Sequence, residues 1–85
     1  MVDVDNYLMA AGGENGIYVC EVSIDARQFA LSDSTRSSTE TVTVLSGQPV
    51  VYVLRHTVAL STLLRAAHWF FEHRNTDPSL AWEPY

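Results

Sequence analysis

Lysine is absent from this chain, and cysteine occurs once. Five arginines are the only permanent cations against ten acids, so the 85 residues carry a net charge of −5. Nonspecific nucleic-acid binding needs a basic footprint, and this chain has none. An acidic surface does suit a partner with a basic one. The lone Cys20 excludes an intramolecular disulfide. It falls in an apolar run, where a buried structural thiol is the expectation. No segment holds 18 consecutive apolar residues, which excludes a spanning helix. The opening MVDVDNY carries two acids and no positive n-region, so no signal peptide is expected and a cytoplasmic location is. Motifs are missing too: no P-loop, no nucleophile elbow, no Gly-rich phosphate loop. "GGENG" lacks the strand before it and the helix after it that a dinucleotide fingerprint requires.

What remains is a single small domain over 1–85. A chain of this length buries about 60% of the surface its unfolded form exposes, so the core is thin. An apolar content of 47% still excludes wholesale disorder. Residues 1–13 read as a short N-terminal helix or arm, capped by Asp3 or Asp5 and ended by Gly12-Gly13. "IYVCEVSIDA" alternates, with Tyr18, Cys20, Val22, Ile24 and Ala26 on one face, and is a strand. Residues 25–31 continue as strand past a bulge or turn into helix, with strand favoured. "SDSTRSSTE", 32–40, is a mobile Ser/Thr loop. "TETVTVL" and "VVYVLR" around "SGQP" form a hairpin. Its second strand is apolar on both faces, so it is expected to be covered on both, one of them by a second subunit.

From about His56 to Arg74 the period becomes 3.6. Leu60, Leu63, Leu64, Ala67, Phe70 and Phe71 make one stripe, predicted to be core. Thr57 is the expected cap, with Asn75 and Pro78 ending the helix. The fold class is therefore α+β: a small antiparallel sheet of three to four strands with one long C-terminal helix packed on one face.

"LLRAAHWFFEHR" comes closest to chemistry. His68 and Glu72 make an ordinary i, i+4 pair. His73 points about 100° away from Glu72 around the helix, and H-x3-E-H matches no zinc-helix spacing. No metal and no cofactor is expected, and no catalytic residue is assigned. A Cys20–His56 dyad is disfavoured by a thiol on the inward face. The candidate contact surface is aromatic instead. Arg65 and Trp69 lie opposite the stripe. The 75–85 tail supplies Trp82 and Tyr85, with Glu72 and Glu83 as an acidic rim.

These residues favour a non-catalytic protein–protein interaction module. Its sharpest form is a small acidic inhibitor, of a phage or mobile-element type, aimed at a host nucleic-acid-binding complex. Two alternatives stand beside it. One is a homodimeric or larger structural subunit. The other is a small enzyme or ligand-binding domain with a pocket between protomers, using Tyr52, His56 and His68.

Overall fold

The computed structural model describes residues 6–45 and 47–84. Six strands and one helix follow in the order β1 (Tyr7–Gly12), β2 (Tyr18–Ile24), β3 (Arg27–Ser32), β4 (Thr41–Leu45), β5 (Pro49–Val53), α1 (Leu60–His73) and β6 (Ala81–Pro84). Strands β1, β2, β3 and β6 form one antiparallel sheet in that spatial order. Among the described residues, strands β4 and β5 pair only with each other. The α+β class and the long C-terminal helix are as expected, but the hairpin is a separate two-stranded sheet.

The N-terminal helix is a correction: residues 7–12 are strand β1, while residues 1–5 lie outside the described ones. A short apolar run cannot be assigned to helix or strand by period alone. Here long-range pairing decides it, with Leu8 opposite Val22 and Gly12 opposite Tyr18. The two glycines turn a chain between strands rather than end a helix. Gly12 has φ 110°, and a Cβ there would meet the Ile17 carbonyl oxygen at 2.3 Å, so no other residue fits.

After β2 the chain neither bulges nor turns helical. It reverses at Asp25-Ala26, with Ile24 opposite Arg27. Both turn residues have positive φ, 52° and 66°. That is the two-residue hairpin turn whose twist matches its strands, usually built from Asn-Gly or Asp-Gly. The side chain of Asn6 accepts the Asp25 amide at 3.0 Å and helps hold it.

Directly opposed residues share a face of a sheet. Leu8, Val22 and Phe29 therefore lie on one face, as do Leu31 and Trp82. This face meets α1. The core joins Cys20, Val22, Leu31, Val58, Leu63, Ala66 and Phe70, with Leu8, Ile24 and Trp82 packed at its edge. The other face carries the row Met9, Glu21, Ala30, Glu83 across all four strands. Its Val19, Ser23, Ala30 and Ser32 are buried as well, under the hairpin side of the molecule.

Helix α1 begins four residues later than its pattern suggests, after Ala59. Thr57 is fully buried, but its hydroxyl donates to the Leu54 carbonyl and accepts from Arg36 instead of capping. Val58 holds the helix start to the sheet by exchanging two backbone bonds with Tyr18, at 2.8 and 3.0 Å. The helix ends at His73 with Arg74 as its cap, within a residue of the expected end. Arg74 adopts the left-handed conformation, and its amide bonds the Phe70 carbonyl.

The buried helix face differs from the predicted stripe. Leu63, Ala66 and Phe70 are buried, whereas Leu60, Leu64 and Phe71 are 45%, 57% and 66% exposed. The helix is rolled by roughly 70°, less than one residue step of 100°. Small Ala66 at the contact centre lets the helix lie close to the sheet.

The 32–40 segment is tied to its neighbours. Asp33 donates to the Arg55 carbonyl, Arg55 to Ser37 and Leu54 to Glu40, each at 2.8 Å. Strand β5 is not sandwiched within the chain, because Val51 remains 66% exposed.

Two substitutions check this packing. Phe70→Ala should lower stability by about 3 to 5 kcal/mol, through lost burial and a cavity. Phe71→Ala should cost within about 0.5 kcal/mol, as surface changes do. Urea melts of the two variants measure the difference, and equal losses would reverse the assigned helix face. A third substitution reads the turn. Ala26→Gly relieves a left-handed alanine and should raise stability by about 1 kcal/mol. An unchanged or lower urea midpoint would remove strain at Ala26 from the account.

Candidate functional site

Three surfaces bring functional groups together. The first joins α1 to the segment that leads into β6. Asp77 is almost fully buried. Its Oδ1 accepts the Ser79 amide at 2.8 Å and the Ser79 hydroxyl at 2.6 Å. Its Oδ2 faces Arg65 Nε at 3.4 Å, and another Arg65 nitrogen donates to Ser79 Oγ at 2.7 Å. The Asp77 carbonyl accepts Trp82 Nε1 at 3.0 Å. The two Ser79 hydrogen bonds, then Arg65, hold the Asp77 carboxyl below the ordinary range. This anchor draws the Arg65 side of the helix toward the tail, and the roll of α1 follows from it.

The expected aromatic surface is rearranged by that anchor. Arg65 is committed to Asp77 and Ser79. Trp69 is half-buried, its Nε1 donates to Asn75 Oδ1 at 2.7 Å, and its ring lies 4.1 Å from that of His73. Trp82 packs on the core from β6 instead of lying over the helix. Glu72 faces His68 at 3.0 Å and His73 at 3.7 Å on the exposed helix surface. Glu83 belongs to a different group, with Arg55 and His56. The two glutamates therefore do not form one rim. Tyr85 lies outside the described residues. Among the described residues, no three His, Cys, Asp or Glu side chains gather as a metal set.

The second surface is a hollow of about 150 Å³ on the sheet face opposite α1. Val19, Glu21 and Ala30 form its floor. Tyr52 and His56 border it from the hairpin end, and Cys20 also reaches it. So Tyr52 and His56 do meet, within one chain, while His68 lines a separate groove with Arg65 and Trp69. His56 Nε2 is hydrogen-bonded to Glu83 Oε2. Arg55 Nε lies 2.8 Å from Glu83 Oε1, although its N–H is not directed along that line, so the contact is a charge pair. The His56 hydrogen bond first, then the nearby Arg55 guanidinium, hold the Glu83 carboxyl below the usual range. The Cys20 thiol goes the other way. Burial, reinforced by Glu21, pushes it up to about 12, which keeps it protonated and unreactive.

The third surface is apolar. Leu60, Leu64 and Phe71 stand exposed along one edge of α1, and Leu45 and Val51 on the hairpin are 63% and 66% exposed. Sequence reasoning placed the helix residues in the core. The Asp77 anchor on the Arg65 side, which no periodicity reveals, is consistent with their outward position. No described helix is long and apolar enough to cross a membrane.

No protein-family model, curated protein or solved structure matches the chain.

Asp33, held low mainly by hydrogen bonds from Thr35, joins Asp77 and Glu83 as a carboxylate favoured in its charged form. Such groups contribute stability that is full above their ordinary values, 3.8 for Asp and 4.5 for Glu. That contribution is lost as pH falls through the lower folded-state values. The melting temperature should therefore hold from neutrality to about pH 5 and fall steeply in more acidic buffer. Asp77→Asn and Glu83→Gln should each flatten that fall while lowering the neutral melting temperature. Thermal melts across the pH series decide it, and a wild-type curve flat into strong acid would refute the assignment.

Proposed function

We propose that this chain is a non-catalytic protein–protein interaction module. The observation that carries the reading is the row Leu60, Leu64, Phe71, exposed on the edge of a well-anchored helix. An 85-residue chain with a thin core gains from burying such side chains. Residues four and seven apart on one helix edge are the spacing by which a helix enters an apolar groove. The net charge of −5 supports a partner with a basic rim around that groove. In its sharpest form the chain is a small acidic inhibitor, of phage or mobile-element type, whose partner is a nucleic-acid-binding complex. Acidity and small size support that version.

Catalysis is the weaker reading, because the Cys20 thiol is held protonated in the core and His56 is engaged by Glu83. A second reading, a homodimer, is favoured by one specific observation: Leu45 and Val51 expose a further apolar patch on the hairpin. The partner-binding residues are then led by Leu60, Leu64 and Phe71. Arg65, Trp69 and Glu72 border them on the helix, and Trp82 and Glu83 act by holding β6.

The test pairs folding with binding. Leu64→Ser and Phe71→Ser should leave the melting curve nearly unchanged. Each should weaken binding to the partner by about 2 kcal/mol, the size of a hot spot. Affinity capture followed by titration of the captured protein against wild type and both variants measures this. Full-strength binding by both variants would remove the helix edge as the contact. Sedimentation of the isolated protein separates the readings, since a dimer at micromolar concentration lost in Val51→Ser would favour self-association.

A further inference from the structure

We propose that the hollow on the sheet face opposite the helix is a binding site for a small organic cation, an alkylguanidinium or alkylammonium group. This goes beyond the interaction surface above, which lies on the other side of the sheet.

The hollow has a local cause. In the cross-strand row Glu21, Ala30, Glu83, a methyl group stands between two long side chains. Nothing at Ala30 fills the space that its neighbours span, and Tyr52 and His56 close it from the hairpin end. The volume, about 150 Å³, is that of a cavity able to hold a benzene-sized molecule. Val19, Ala30 and the Tyr52 ring offer an apolar wall suited to a short alkyl stem or a flat guanidinium.

The charges of the site are unequal. Glu83 is taken by Arg55 and His56. Glu21 is half-buried on the wall of the hollow, and among the described residues its side-chain carboxylate has no hydrogen-bond or ion-pair partner. A carboxylate so placed offers acceptors without a donor, which selects a cation that brings its own N–H groups. The same carboxylate repels anions. Neutral molecules forgo the charge-assisted bond. The chain supplies no lysine that could reach in to neutralise it, and its net charge of −5 raises the local concentration of cations. The cation is either a free metabolite or the end of an arginine or lysine side chain on another protein. Both present the same group to Glu21.

The experiment is an amide NMR titration of the intact chain with four probes: n-butylguanidinium, n-butylammonium, n-butanol, and an end-blocked Gly-Arg-Gly peptide. The charged probes should give saturable shifts at Val19, Glu21 and Ala30. Butanol should bind about tenfold more weakly or worse, the loss expected for a missing charge-assisted hydrogen bond. Glu21→Gln should weaken the guanidinium probe by a similar factor, while Glu40→Gln, exposed in the segment before β4, should not. Tighter binding of the peptide than of butylguanidinium assigns the site to a protein side chain, the reverse order assigns it to a free cation, and either order upholds it. Butanol binding as well as the cations, shifts centred away from the hollow, insensitivity to Glu21→Gln, or no saturable binding of any charged probe would each overturn the proposal.

Discussion

The burial of the Asp77 carboxylate is the constraint on which the arrangement of the C-terminal half depends. An ionised group almost fully removed from solvent must be met by donors and by an opposite charge. Ser79 supplies the donors from two residues along the chain, and Arg65 supplies the charge from the helix. Satisfying one carboxylate thus fixes a local turn, a helix rotation and, through the Asp77 carbonyl and Trp82, the approach of β6 to β3. The outward turn of Leu60, Leu64 and Phe71 is the other side of the same geometry. Rolling Arg65 toward the tail turns the opposite edge of the helix to solvent.

Sequence legibility followed how local each cause is. β2 and the β4–β5 hairpin were readable because alternation and a Gly-Pro link act over a few residues. The helix was readable because its period persists over 14 residues. Its exact facing was not, since eight apolar positions spread over a wide arc leave the roll free within about one residue step. Strand β1 exists through pairing with β2, a long-range fact that "YLMAAG" does not announce. The Asp25-Ala26 turn was hidden because alanine replaces the glycine that normally marks it. The 75–85 tail was read as part of an aromatic contact surface, whereas pairing of β6 to β3 satisfies its backbone and packs Trp82 against the core.

The candidate sites were legible only in composition. Sequence reasoning found the residue types of a contact surface, Trp, Arg and Glu. It then assigned exposure by helical angle, and an error of less than one residue step moves one edge of the stripe, Leu60, Leu64 and Phe71, from core to solvent while Leu63 and Phe70 stay buried. Trp69 and Trp82 each satisfy an indole N–H within the chain, at Asn75 and at the Asp77 carbonyl. That is the ordinary condition of a tryptophan that supports a fold. The leucines and Phe71 have no polar handle and gain nothing from exposure to water, so their position carries more information about contact than the tryptophans do.

The two faces of the sheet divide the work by how their charges are balanced. On the helix side, Asp77 is compensated by Arg65, and the surface left over is apolar. On the hairpin side, Arg55 and His56 both converge on Glu83, two basic groups on one carboxylate, while Glu21 on the same row has none among the described residues. Moving either basic group to Glu21 would leave Glu83 less compensated, so the imbalance is built into the register rather than into one side chain. A site meant for proton transfer would place a titrating base against a reacting group. Here the base is locked to its own carboxylate and the thiol is held protonated, which leaves recognition of a cation as the chemistry that the unbalanced carboxylate supports.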